Sequence, residues 1–249
     1  MFVLFDGGKT ARLCCFFFDR RPAVALIWIG QNCLDEAYVY GASKRYRVRL
    51  YRDQHLPPGG HLCYIYSDEQ EHARTMAQFV ESGLASGEKV AYLADVLSRE
   101  ELEQYIAKLG VNFPADLRPG QLIVPPAEET YCPDGTFQPE RMIETWHSMY
   151  RQSVDEGFPG IRVTGETGWT CNEHPGLDRW FEYESMLNIV VEDVPFSSII
   201  CQYDANRLSG VNLYEVLRVH PLMIVGGQIL HNPYYEVPAQ YLARRRASA

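Results

Sequence analysis

The chain has no complete phosphate-binding loop. Gly7-Gly8-Lys9-Thr10 is only a fragment, without the first glycine of the motif or a strand ahead of it, so it offers no cradle of backbone N–H groups for a nucleotide. Long apolar runs are also missing. Leu13–Phe18 and Ala23–Gly30 are split by Asp19-Arg20-Arg21, and each falls far short of the ~20 residues a membrane helix needs. The N-terminus lacks the basic-then-apolar order of a signal peptide. No CxxC pair occurs among the seven cysteines (14, 15, 33, 63, 132, 171 and 201). Their odd number and irregular spacing indicate neither a disulfide framework nor a zinc ribbon, and fit reduced thiols in a cytoplasmic protein. HExxH, GxSxG and the usual Ser-His-Asp or Cys-His-Asn sets are absent too. Positive charge is scarce outside the first 55 residues. That stretch carries nine Lys/Arg against five Asp/Glu, or +4, so the net charge of −9 leaves −13 for the rest. An acidic main body argues against nucleic acid as a direct ligand.

What the chain does contain is a regular alternation of elements from His61 onward. Leu62–Tyr66, Glu88–Ala94, Gln121–Val124, Ile161–Thr164 and Ser198–Tyr203 read as short apolar strands. Between them lie helical patterns. One spans Asp68–Ser86, with Ala73, Met76, Ala77, Val80 and Leu84 on one face. Another is opened by Ser98 with Glu101 in capping-box register and carries Leu102, Tyr105, Ile106 and Leu109. Further helices start at Pro139 and span Leu177–Val191 and Val211–Val219, and Leu222–Leu230 adds one or two more strands. This order predicts a three-layer α/β fold, a mainly parallel sheet with helices on both faces. The loop Leu56-Pro57-Pro58-Gly59-Gly60 sets a boundary. Residues 1–58 form a basic extension, read either as one or two hairpins or as a poorly ordered segment. Residues 59–237 form the main domain, and 238–249 a C-terminal tail whose end, Arg244–Ala249, reads as frayed and solvated.

Ligands of such sheets sit outside the carboxyl ends of the strands. The residues gathered there are Tyr66, Ser67 and Asp68; Asp95; Arg162, Thr164, Gly165, Glu166 and Trp169; and Gln202, Tyr203 and Asp204. Glycine lets backbone approach a ligand, and Trp and Tyr supply apolar walls with polar tips. The plainer reading makes Gly165 and Gly168 shape a turn and Trp169 cap the core. The strand-to-helix turn Ser67–Glu71 carries three acids, which would repel a triphosphate. Glu184 and Asn188 share a helix face beside an apolar stripe. His61, Cys63, Cys201 and His220 could converge on a metal. They lie on separate elements at no recognised ligand spacing, and buried Cys and His more often serve the core. The expectation is therefore no metal and no cofactor.

The ordered blocks His61-x-Cys63-x-x-Tyr66, Phe79-x-x-x-Gly83-x-x-x-Gly87-Glu88, Arg162-Val-Thr-Gly165-Glu-x-x-Trp169, Tyr183-Glu184-x-x-x-Asn188, Cys201-x-Tyr203-Asp204 and His220-Pro221 resemble the MEDS domain, the methanogen/methylotroph sensory domain of DcmR-like regulators, over about residues 59–237. That resemblance implies a KaiC/RecA-like scaffold without a working phosphate loop, in agreement with the acidic turn. It implies sensing of small organic molecules such as hydrocarbon derivatives, relayed to a histidine kinase, anti-sigma circuitry or transcription regulation. About a dozen residues follow the matched span, so the expected output passes to a regulatory protein in trans, with a homodimer left open. The expected ligand set is His61, Cys63, Tyr66, Asp68, Arg162, Thr164, Gly165, Glu166, Trp169, Glu184, Asn188, Cys201, Tyr203 and Asp204, with no catalytic residue assigned. Two other readings stand beside it. One is a degenerate ATPase-like transferase or hydrolase using Glu166, Asp204 or Cys63; the other is an interaction module without ligand.

Overall fold

The computed structural model describes residues 59–95, 97–108, 117–193 and 198–248, together with Leu56 and the backbone of five strands between residues 3 and 49. Those strands are β1 (Val3–Asp6), β2 (Lys9–Phe18), β3 (Arg21–Ile29), β4 (Glu36–Gly41) and β5 (Lys44–Arg49). They pair antiparallel in chain order, and β1 stands directly ahead of the Gly7-Gly8-Lys9-Thr10 fragment, where the sequence reading placed no strand. Pro57, Pro58 and Leu109, used above for a boundary and a helix stripe, lie outside the described residues.

The main domain runs β6 (Gly60–Tyr66), α1 (Glu69–Ala85), β7 (Lys89–Leu93), α2 (Arg99–Lys108), β8 (Leu122–Ile123), α3 (Ala127–Tyr131), α4 (Pro139–Asp155), β9 (Ile161–Glu166), α5 (Trp180–Asp193), β10 (Ser198–Asp204), α6 (Gly210–Val219), β11 (Leu222–Val225), β12 (Gln228–His231) and α7 (Pro238–Ser248). Two short 3₁₀ turns, Gly168–Cys171 and Leu177–Arg179, precede α5. The seven-stranded sheet has the order β12-β11-β6-β10-β9-β7-β8. Every pair in it is parallel except the β11–β12 hairpin. The fold is α/β with helices on both faces, as the alternation of elements predicts.

Local chemistry explains the helix starts. The Asp68 side chain accepts the Glu71 backbone N–H at 2.7 Å. Ser98 and Glu101 cap each other's backbone N–H, and Ser209 accepts from Asn212 at 3.1 Å. Pro139 occupies the first turn of α4, where its missing N–H costs nothing.

The period-two alternation of strands then divides the interior. Leu62, Tyr64, Val90, Tyr92, Leu122 and Ile200 pack against Met76, Phe79, Val80 and Leu84 of α1 and Leu102 of α2. Cys63, Leu93, Ile161, Val163, Cys201 and Tyr203 point the other way, onto α3–α5 and an aromatic group centred on Trp146, Trp169, Trp180 and Tyr183.

Two details differ from the sequence reading. Tyr105, placed on the apolar stripe of α2, is exposed. Residues 238–248, read as a tail frayed from Arg244 on, form α7. Tyr241 is fully buried there with its hydroxyl on Glu215, and Arg244 joins Glu215 and Glu236.

Candidate functional site

The same alternation separates the sequence-derived candidates into two groups on opposite faces of the sheet. Thr164 and Glu166 project to the α1 face, as do Tyr66 and Gln202. His61, Cys63, Gly165, Cys201 and Tyr203 project to the α5 face.

On the α1 face the groups form a polar network at the carboxyl edge. Gln202 Nε2 donates to Thr164 Oγ1 at 2.8 Å, and Thr164 donates to the Ile200 carbonyl at 2.9 Å. Tyr92 donates to Glu166 at 2.9 Å, and the other Glu166 oxygen accepts the Asp95 N–H at 2.7 Å. His72 of α1 donates to Gln202 Oε1 and stacks on Tyr66 with ring centroids 3.8 Å apart. Burial, then the nearby Glu166 charge, pushes the Asp95 carboxyl up to about 6, against the pull of the Gly168 and Trp169 N–H groups and Arg207. Tyr66 is pushed up, first by burial and then by surrounding acids. Asp68 is spent on its helix cap, so the N-terminus of α1 is closed by its own side chain where a phosphate would otherwise sit. Asp204 turns back onto the Asn206 N–H at 2.9 Å.

Arg162 stands apart from these groups. It is near the amino end of β9, paired with Glu88 through Nε at 2.8 Å and bonded to the Phe79 carbonyl and Ser82. Its neighbours in sequence reach the carboxyl edge and it does not.

On the α5 face, β6, α5, β10 and the end of α6 bring His61, Glu184, Cys201 and His220 together. His61, Glu184 and His220 are at most 1% exposed and Cys201 5%. His61 Nε2 is 3.3 Å from Glu184 Oε2, and His220 Nε2 is 3.0 Å from the same oxygen. Cys201 Sγ is 3.4 Å from His61 Nε2. One ligand atom from each residue fits within a mutual separation of 4.8 Å. Asn188 lies behind His61, its Oδ1 3.1 Å from Nδ1, while its amide donates to the Val219 and Ser185 carbonyls. Burial, then the charge of His220, lowers the His61 pKa. Burial would raise Glu184, but the two imidazoles outweigh it and hold the carboxyl at about 2. Burial pushes the Cys63 thiol up to about 12, and Cys201 well above its ordinary value. Neither thiol is an activated nucleophile.

Beyond this cluster, toward the chain segments after β9 and β10, lies a cleft of about 740 Å³. Its walls include Trp180, Phe181, Tyr203 and Leu208, with Asn172, Glu173, Asp178, Asn212 and Arg245 among its polar groups. The volume is in the range of small-molecule sites. Trp180 Nε1 and the Tyr203 hydroxyl are neighbours there, yet neither is aligned for a hydrogen bond. Trp169 is buried just behind, stacked on Tyr131 at 4.9 Å and edge-on to His174 of the cleft wall. Gly165 lets Tyr131 in, since a Cβ there would stand 3.0 Å from its hydroxyl.

Of the cleft lining, the predicted ligand set included only Tyr203; Trp180, Phe181, Leu208, Asn212 and Arg245 were not in it, nor was His72, and His220 was weighed as a metal ligand and as part of the His220-Pro221 motif. His72 carried a signal, one turn before Met76 on the buried stripe of α1. Arg245 carried none, because its place depends on how α7 packs.

The profile of the MEthanogen/methylotroph, DcmR Sensory domain, abbreviated MEDS, matches residues 60–221. The chain belongs to the MEDS family. Its matched span contains both the buried cluster and most of the cleft. A search of curated protein sequences returned no match. Among solved structures, the MEDS chain is similar to the flagellar accessory protein FlaH from Methanocaldococcus jannaschii (13% identity, 73% of this chain and 80% of that one, TM-score 0.48). It is similar as well to a KaiC-like protein from Pyrococcus horikoshii (14%, 68% and 71%, TM-score 0.48). A third similar structure is an uncharacterized P. horikoshii protein solved with an unknown peptide (12%, 72% and 86%, TM-score 0.50). These likenesses concern the fold alone. Among the described residues, no helix is long and apolar enough to cross a membrane.

Proposed function

We propose that this MEDS domain is a cytoplasmic small-molecule sensor whose ligand occupies the cleft between Trp180, Tyr203 and α7. The observation that carries this reading is the cleft itself, with aromatic walls at Trp180, Phe181 and Tyr203 facing polar and charged groups such as Glu173, Asp178 and Arg245, and a volume of about 740 Å³. Such a lining suits a small organic molecule with one polar end, hydrocarbon-derived compounds included. The sensory character of the family supports it.

Signal leaves the cleft through packed neighbours. Tyr203 ends β10, Trp180 and Phe181 begin α5, and His174 leans on Trp169. A ligand that binds one arrangement of these groups better than another shifts their population and changes a surface read by a regulatory protein in trans, such as a histidine kinase, an anti-sigma factor or a transcription factor. The enzymatic alternative loses its best nucleophile, since Cys63 is fully buried with its thiol pushed up to about 12.

A thermal-shift screen of the full chain with short alcohols, halogenated and methylated small organics, and Mg-ATP tests the proposal. A ligand at a hundred times its Kd stabilises by about 2.7 kcal/mol. The expected result is a rise with an organic compound that Phe181→Ala and Asn212→Ala reduce. Stabilisation by Mg-ATP with phosphate release would overturn it.

A further inference from the structure

The four side chains between β6, α5, β10 and α6 converge on one buried point, each offering a metal-ligating atom within 4.8 Å of the others. Asn188 gives both its amide hydrogens to carbonyls, so its Oδ1 must accept from His61 Nδ1. His220 Nδ1 sits 2.8 Å from the Val216 carbonyl, which only accepts. Each neutral imidazole therefore carries its proton on Nδ1 and turns an Nε2 lone pair inward. Inward is Glu184, a carboxylate with both oxygens buried and without a hydrogen-bond partner, and His220 Nε2 has none either. Lone pairs 3.0 and 3.3 Å apart require something positive between them; a proton on an imidazole serves one contact with Glu184, whereas a single cation serves all four groups at once.

We infer that His61, Glu184, Cys201 and His220 bind a single zinc ion. Three of the six donor separations come near those of tetrahedral ligands, and all six lie within 4.8 Å. Zinc bonds of ordinary length give N–N, N–O and N–S edges of about 3.3 to 3.6 Å, and the measured separations are 3.0, 3.3 and 3.4 Å. Two imidazoles, a carboxylate and a thiolate suit zinc among the common divalent ions. Charge also balances. Cys201 releases its thiol proton to solvent on binding, and the two anions Cys201 and Glu184 neutralise the divalent cation, so the complete site is neutral where it is most deeply buried. The outer contacts of both imidazoles, Nδ1–H to Asn188 and to a backbone carbonyl, are those that orient metal-bound histidines.

Four protein ligands close the coordination sphere, which makes this a structural ion and not one that activates water. It ties the adjoining strands β6 and β10 to α5 and the end of α6, and its His220 ring lies edge-on to Tyr203, with centroids 5.7 Å apart. Tyr203 is also a wall of the cleft. The zinc is thereby placed to hold that wall in position, although the inference stands independently of any ligand there.

The test is made on the full chain, expressed with zinc and dialysed. About one zinc per chain is expected, with one sulfur and three nitrogen or oxygen neighbours in X-ray absorption at the zinc edge, and a fall in Tm when a strong chelator removes it. Cobalt(II) put in its place should give a thiolate-to-cobalt charge-transfer band together with the intense visible bands of a tetrahedral ion. In Cys201→Ser the charge-transfer band should vanish. A chain that is metal-free, gains no stability when refolded with zinc or cobalt, and shows no cobalt band overturns the inference. So does a sulfur-free zinc shell, or a charge-transfer band that survives in Cys201→Ser. If that variant does not fold, the wild-type absorption and cobalt spectra decide alone.

Discussion

Glu184 and His220 meet at 3.0 Å with both side chains fully buried, one from the middle of α5 and the other from the residue that ends α6. Neither helix alone requires the contact. Removing the carboxylate leaves two inward imidazoles without a counter-charge. Glu184→Ala should cost about 3–5 kcal/mol of stability, measured by chemical denaturation. Glu182→Ala, which breaks a partly exposed pair with Arg179 on the same helix, should cost less than about 1 kcal/mol.

Arg162 and Glu88 form a second buried pair, and here a structural role is expected. Arg162→Ala should lose about 3–5 kcal/mol, and Arg162→Met distinctly less if Glu88→Gln accompanies it. Ligand-induced stabilisation measured on any folded variant of this pair should match the wild type, because neither residue lines the cleft.

Asp95 gives a pH signature. Its carboxyl is raised from 3.8 to about 6 by burial and by Glu166. A carboxyl raised on folding favours the folded state below its unfolded pKa, and that contribution is lost as pH rises through the folded value. Between pH 3.8 and about 6, Asp95 therefore makes stability fall as pH rises. In Asp95→Asn this component should disappear, and Tm at pH 7 should be equal to or above wild type. A Tm profile identical to wild type across that window would contradict the assignment.

Gly176 and Gly135 share a left-handed backbone, with φ of +83° and +76°, but not their surroundings. A Cβ at Gly176 would lie 2.1 Å from the Phe137 carbonyl oxygen, whereas one at Gly135 meets nothing within 4 Å. Gly135→Ala should cost about 1 kcal/mol from backbone strain alone. Gly176→Ala should cost several times more, because backbone must move, and Tm comparison of the two variants checks it.

Tyr241 anchors α7, fully buried with its hydroxyl on Glu215. Tyr241→Ala should lower stability by about 3 kcal/mol and free the Arg245 guanidinium from the Asp178 carbonyl, where it donates at 2.9 Å. Weaker ligand stabilisation should accompany the lower Tm.

Much of the α/β fold was legible because strand and helix periods are written into the chain. The alternation around Leu62–Tyr66, the capping box at Ser98 and Glu101, and Pro139 each act over a few residues. The candidate site was legible only as membership. His61, Glu184, Asn188 and Cys201 were all named, as were Tyr66, Thr164 and Glu166, yet nothing local separates them into two groups. The sheet does so, since adjacent strand residues point to opposite faces and parallel pairing sets Cys201 beside Cys63. Arg162 shows the converse: three residues from Gly165 in sequence, it belongs to the other end of the strand.

The sequence alone determined the α/β alternation, the acidic turn that replaces a phosphate loop, and the motif order shared with the MEDS family, because these depend on neighbouring residues. Tertiary structure alone decided that His61, Glu184, Cys201 and His220 share one buried point, and that α7 closes a cleft. The physical reason is separation: those groups lie up to 159 positions apart in the chain, and only the packing of α5 and α6 onto the parallel sheet brings their lone pairs together.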